Sequence, residues 1–183
     1  MSTLSASFFI SLDGVVDPMV GDWHFPYFND EMAAAVQRSI ASSDAFLLGR
    51  RTYEEWAAYW PEQDSAQNPL AAALNAMPKF VASRSLTHAD WQNSTVLEGD
   101  AVEAVSDLKR RGDGAISISG SAGLVRSLLD ADLVDELRLM VHPVVVGRGA
   151  RLFGDGSSRR PLELVESQTF ATGVLNLTYR AAA

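Results

Sequence analysis

The feature that most constrains this chain is an alternation that stops partway along it. Short apolar runs rich in β-branched and aromatic residues, at 4–12, 45–48, 79–82, 94–97 and 115–119, read as strands. Between them lie stretches with helical spacing, at 29–42, 52–58, 65–76, 100–111 and 124–130. From residue 134 the pattern changes: 134–146, 162–170 and 174–180 read as strands with no helix between them, and Thr172-Gly173 is a turn that would join the last two as an antiparallel hairpin. Strands alternating with helices, then a strand-rich tail, predict one α/β domain over 1–183. Its central sheet is mostly parallel, with a C-terminal antiparallel hairpin.

Several helix ends carry their own signals. Asn29 or Asp30 can cap the first helix, on which Met32, Val36 and Ile40 repeat at a spacing of four. Thr52 and Glu55 form a capping-box pattern, as do Asp100 and Glu103. Lys109, Arg110 and Arg111 fill the last turn of their helix, with Gly112 just beyond. The run 45–48 is wholly apolar, as a strand buried on both faces should be.

Composition then removes whole classes of function. The chain has no cysteine, so disulfides, iron–sulfur clusters, Cys-ligated zinc and thiol nucleophiles are excluded. His24, His88 and His142 are far apart in sequence and no metal site is expected; His142, just before Pro143, reads as structural. Fifteen Lys and Arg against 23 Asp and Glu give a formal charge of −8, which argues against a general nucleic-acid binder. No apolar run reaches the roughly 20 residues of a membrane span, and Met1-Ser2-Thr3 leads into no signal-like segment, so a cytoplasmic protein without membrane partners is expected.

Three strand ends carry chemistry. The run 45–48 leads into Gly49-Arg50-Arg51-Thr52, where a helix begins at once. Unpaired N–H groups and a partial positive charge make such a helix start suited to an anion, and two arginines add to it. The run 115–119 leads into Gly120-Ser121-Ala122-Gly123 and then Leu124, small residues that let the backbone approach a pyrophosphate. The run 79–82 ends in Ser83-Arg84, a hydroxyl beside a guanidinium. Each turn taken alone also reads as a plain strand–helix junction. Together they lie at the carboxyl ends of parallel strands, where open α/β sheets bind ligands. Asp13, after the first strand and before Gly14, is the candidate catalytic group, with an Asp-Gly turn as the alternative. Trp23, His24, Phe28, Tyr53 and Trp56 either form an aromatic wall for a flat substrate or pack in the core.

These turns resemble the dihydrofolate reductase superfamily, and most closely the reductase domain of the bacterial riboflavin-biosynthesis deaminase-reductase. The resemblance is carried by Ser11-Leu12-Asp13-Gly14, Gly49 to Glu54, Ser119 to Leu124, the 128–137 stretch and His142-Pro143-Val144-Val145-Val146-Gly147-Arg148-Gly149. It implies a three-layer fold and an NADPH-dependent reductase. In it Gly49, Arg50, Arg51 and Thr52 would face cofactor phosphates, Ser83 and Arg84 the 2′-phosphate, and Gly120, Ser121, Ala122 and Gly123 the pyrophosphate, with Leu124 following into the helix. The resemblance has two departures. Aligned on Trp23 and Pro26, the carboxylate of dihydrofolate reductases is replaced by Phe28, with Asp30 and Glu31 beyond it. The basic residue that riboflavin reductases carry in the first strand is missing from Ser7-Phe8-Phe9-Ile10. The expectation is hydride transfer from NADPH to a small conjugated heterocycle of pyrimidine or pterin type. A nucleotide-binding module without turnover, and a pterin or folate reductase using Asp30 or Glu31, stand as alternatives. The apolar run 141–146 and the last hairpin offer edges for a homodimer.

Overall fold

A computed structural model describes residues 1–17, 19–154 and 157–182. Its strands are β1 (Thr3–Ser11), β2 (Ala45–Gly49), β3 (Lys79–Ala82), β4 (Ser94–Leu97), β5 (Ala115–Ile118), β6 (Glu136–His142), β7 (Leu162–Thr169) and β8 (Leu175–Ala181). Its α-helices are α1 (Asp30–Ala41), α2 (Arg50–Ala57), α3 (Pro69–Ala76), α4 (Ala101–Arg111) and α5 (Ala122–Asp130). The strands make one sheet in the order β4-β3-β2-β5-β1-β6-β8-β7. The first six are mutually parallel; β8 runs antiparallel to β6, and β7 antiparallel to β8. This is the mostly parallel sheet with a terminal antiparallel hairpin that the sequence predicts.

Side-chain alternation divides the core between two sheet faces. Leu4, Ala6, Phe8 and Ile10 of β1 pack with Ile116 and Ile118 against Val105 of α4 and Val125 and Leu128 of α5. On the other face Phe46, Leu48 and Val81 meet Tyr53 of α2, Leu74 of α3 and Trp91. Beside them Met32 and Ala35 of α1 pack with Phe170, Val174, Phe9 and Met140. Helix, sheet, helix is the three-layer arrangement.

Local chemistry explains most helix starts. Asn29 accepts from the Met32 amide, Asn68 from Leu70 and Ala71, Asp100 from Val102 and Glu103, and Ser121 from Leu124. Gly173, at φ +84°, closes the last hairpin. Three sequence expectations are corrected; one is the strand read over 134–146, which spans only Glu136–His142. The third helix begins at Pro69 under its Asn68 cap, not at residue 65. In α2, Thr52 is not a cap: the strand runs directly into the helix, Gly49 is the boundary residue, and no side chain caps it.

A buried lysine was not anticipated. Lys79 is 1% exposed, and its Nζ donates to the carbonyls of Asn75 (3.3 Å), Met77 (2.7 Å) and Gln92 (3.1 Å) while lying 4.3 Å from the Trp91 ring centre. Burial pushes its pKa down to about 8.

Candidate active site

Parallel strands bring their carboxyl ends to one edge, so the predicted turns become neighbours. Gly49 of β2 is in register with Ala82 of β3, and Leu47 of β2 with Ile118 of β5. Ser83-Arg84, the Gly49 turn and the Gly120 turn therefore follow one another along the edge, with the Asp13 loop after β1 next in line.

The two glycine turns touch. A Cβ on Gly49 would lie 3.1 Å from Cβ and Oγ of Ser121, and one on Gly120 would lie 3.0 Å from Oγ1 of Thr52. Gly120 has φ +89°, a conformation costly for any other residue, and the Gly120–Ser121 peptide is cis. Beside Gly123 the nearest atom to a Cβ position is Ser121 Oγ at 3.9 Å, so that flank is open. Two helix starts thus stand side by side. The α2 start has no side-chain cap, which leaves its first-turn amides for another acceptor. At α5 the Ser121 hydroxyl accepts from the Leu124 amide at 3.4 Å. The uncapped first turn of α2, set against the small-residue start of α5, fits a pyrophosphate-bearing cofactor.

The basic residues around the cradle differ in how they are held. Arg50 Nη1 donates to both carboxylate oxygens of Glu54 at 2.9 Å, one turn along its own helix. A ligand phosphate would have to compete with that pair. Arg51 and Arg84 are exposed and make no ion pair among the described residues. Ser83 Oγ accepts from the amides of Ser85 (3.2 Å) and Leu86 (2.9 Å), shaping the turn that presents Arg84.

The Asp13 carboxylate is engaged on both oxygens. Its Oδ1 accepts from the Ser11 hydroxyl (2.7 Å) and the Val146 amide (3.0 Å), and its Oδ2 from the Gly147 amide (2.8 Å). Arg151 Nη2 stands 3.5 Å from Oδ2 and its Nε donates to the Asp13 carbonyl. The Ser11 hydroxyl and the two amides hold the carboxyl well below the usual carboxylate range. Asp13 clamps the loop after β1 to the loop after β6, and Val15 adds a bridge to Arg151. The sequence signal for this clamp is the serine two residues before the aspartate.

The expected aromatic wall is divided. Trp23 lies 5.3 Å from His24 and 5.2 Å from His142 between ring centres, and Phe9 is 5.5 Å from each histidine. Tyr53 and Trp56 belong instead to the core beneath α2 and α3. Tyr53 is 4% exposed and its hydroxyl accepts from the Trp91 amide at 3.0 Å; Trp56 packs on Phe46. Phe28 is 46% exposed. His142 is fully buried, with Nδ1 2.8 Å from the Met140 carbonyl and Nε2 without a partner; burial pushes it and His24 below the ordinary histidine range. Of the alternative proton donors, Glu31 is tied to the Ala171 amide (2.7 Å) and to Asn29 (3.0 Å). Among the described residues no helix is long and apolar enough to cross a membrane.

Residues 2–176 match the RibD C-terminal domain family. The chain belongs to that family. The Bacillus subtilis (strain 168) protein YyaP is 30% identical over 172 residues, covering 93% of this chain and 90% of its own. Among solved structures, a riboflavin-biosynthesis-type protein from Shewanella sp. PV-4 superposes with TM-score 0.80 at 22% identity, covering 99% of both chains. Dihydrofolate reductase from Enterococcus faecalis, complexed with NADP(H), superposes with TM-score 0.64 at 17% identity over 99% of this chain and 97% of its own. These likenesses show a dihydrofolate reductase-like fold, and the family supports a reductase of riboflavin type.

Proposed function

We propose that the protein is an NADPH-dependent reductase acting on a small conjugated heterocycle of pyrimidine or pterin type, like the 5-amino-6-(5-phosphoribosylamino)uracil reductases. The observation that carries this is the contact between the Gly49 and Gly120 turns, which joins two helix starts into one backbone cradle at the sheet edge. In this reading Gly49 to Thr52 and Gly120 to Leu124 hold the cofactor's pyrophosphate, and Ser83 and Arg84 face the 2′-phosphate. Bound there, the cofactor supplies the hydride. The chain's own contribution is placement. Asp13 fixes the loop over the reacting edge, and Trp23 with Phe28 forms the substrate side. With Asp13 and Glu31 engaged, the proton comes from solvent or from Asp30, whose side chain makes no hydrogen bond among the described residues.

Titration of the protein with NADPH and NADH, followed by cofactor fluorescence, tests the reading. Micromolar NADPH binding, weakened at least tenfold for NADH and in Arg84→Gln, is expected. Absence of binding at millimolar NADPH would overturn it. A second reading, a binding module without turnover, draws on Phe28 at the acid position and on the engaged Asp13 and Glu31. Oxidation of NADPH with any pterin or pyrimidine acceptor would remove it. A homodimer is supported by exposed Leu164, Val165 and Leu175 on the last hairpin, and sedimentation at micromolar concentration should show two copies rather than one.

A further inference from the structure

At the opposite edge, where the parallel strands begin, lies a second cavity of about 510 Å3. Its walls come from Ser5 of β1, Ser43 after α1, Ser117 of β5, Glu136 and Arg138 of β6, and Arg180 at the end of β8. Ser5 is in register with both Glu136 and Ser117, so these side chains share the sheet face that Phe9 and Met140 make apolar further along. Beneath a helix such positions are ordinarily apolar, because buried hydroxyls and charges need partners. Here Ser5 is 8% and Ser117 6% exposed, and the Ser117 hydroxyl lies 2.5 Å from that of Ser43.

The charged part is preorganised. Glu136 Oε2 accepts from Arg138 Nε (3.1 Å) and Nη2 (2.7 Å), while its Oε1 accepts from Arg180 Nε (3.2 Å) and Nη2 (2.6 Å). One carboxylate therefore locks two guanidinium planes and leaves the Nη1 edge of each for another acceptor; Arg138 Nη1 reaches only Ser39 Oγ, at 3.4 Å. The nearby carboxylates are matched: Asp135 pairs with Lys109 at 2.6 Å and Asp132 with Arg160. Glu163 stands across the strand from Arg180, so four cations meet four carboxylates, and the pull on an anion comes from the Nη1 edges rather than from net charge.

We propose that this cavity binds a small metabolite bearing one carboxylate or phosphate group, at a site separate from the nucleotide turns. The oxyanion would bridge the Nη1 edges of Arg138 and Arg180, and the serine hydroxyls would bond the polar remainder of the molecule. The volume lies within the roughly 300–1,000 Å3 of small-molecule sites, and the locked guanidiniums reduce the ordering cost of binding.

The test uses the full chain, isotope-labelled, with amide shifts followed during separate titrations with inorganic phosphate and with lactate. Saturable shifts at Ser5, Ser117, Glu136, Arg138 and Arg180 are expected for at least one probe, and the arm that saturates first identifies the group. Arg180→Gln, at an exposed strand end, should weaken that binding about tenfold. Arg180→Gln protein that gives the wild-type amide pattern away from the cavity establishes that the fold is intact. The inference is overturned if neither probe saturates by about 50 mM. It is equally overturned if the shifts appear only at 49–52 and 120–124, or if Arg180→Gln binds as wild type does.

Discussion

Replacing Lys79 with methionine measures how this chain tolerates an ammonium in its core. The amine is 1% exposed and its pKa is pushed from 10.5 down to about 8 by burial. Between those values the unfolded chain holds the proton more tightly than the folded one, so stability must rise with pH across that window. Each pKa unit is worth about 1.4 kcal/mol, and a shift from 10.5 to about 8 adds roughly 2.5 kcal/mol between pH 7 and pH 10. At pH 7 the variant loses the donors to Met77 and Gln92, whereas the Asn75 carbonyl keeps Gln92 Nε2 (3.0 Å) and Asn93 Nδ2 (3.2 Å). Two orphaned carbonyls, offset by relief of a desolvated charge, give a deficit of about 2 kcal/mol. Urea unfolding of both proteins at pH 7, 8, 9 and 10 isolates the effect, because every other titrating group cancels in the difference. The deficit should grow to about 4–5 kcal/mol at pH 10. A deficit that stays flat over this range would show that the three carbonyls and the indole fully compensate burial, and would refute the reasoning.

Other perturbations probe the cradle and its supports. Gly49→Ala places a methyl 3.1 Å from Ser121 and should cost NADPH affinity at least tenfold while the fold survives, read by cofactor titration. Gly120→Ala adds a left-handed backbone to its contact with Thr52 and should lower stability by about 1–3 kcal/mol in chemical unfolding. Asp13→Asn should change kcat less than tenfold yet speed proteolysis between residues 146 and 151, whereas a collapse of kcat by three orders of magnitude would restore Asp13 as the reacting acid. Because its carboxyl is depressed, Asp13 stabilises the fold above its unfolded pKa of 3.8 and loses that contribution as pH falls below it; the wild type should therefore lose more stability than Asp13→Asn on acidification. Asn75→Ala removes the acceptor for Trp91 Nε1 at 2.8 Å and the donor to the Trp60 carbonyl at 3.0 Å, and should destabilise by about 2–3 kcal/mol.

The sequence by itself determined the elements and the direction of the sheet. Short apolar runs, separated by helical spacing and small-residue turns, leave few arrangements besides a parallel sheet, and a parallel sheet must gather its strand ends on one edge. For that reason residue order alone makes the turns at Gly49, Ser83 and Gly120 neighbours along one sheet edge. What tertiary structure decided was which polar atoms already have partners. Arg50 is held by Glu54, Asp13 by Ser11 and two amides 133 and 134 residues away, and Glu31 by Ala171. The bonds of Asp13 to Val146 and Gly147 and of Glu31 to Ala171 depend on loop geometry over long sequence separations, which periodicity does not encode, whereas Arg50 and Glu54 pair one turn apart on α2. The same holds for Tyr53 and Trp56, whose apolar bodies suit a ligand wall and a core equally well; only packing under α2 and α3 places them in the core. Neither the ammonium of Lys79 nor the paired guanidiniums around Glu136 leave any signal in the sequence, because each is made by residues whose charge would, on average, be solvated.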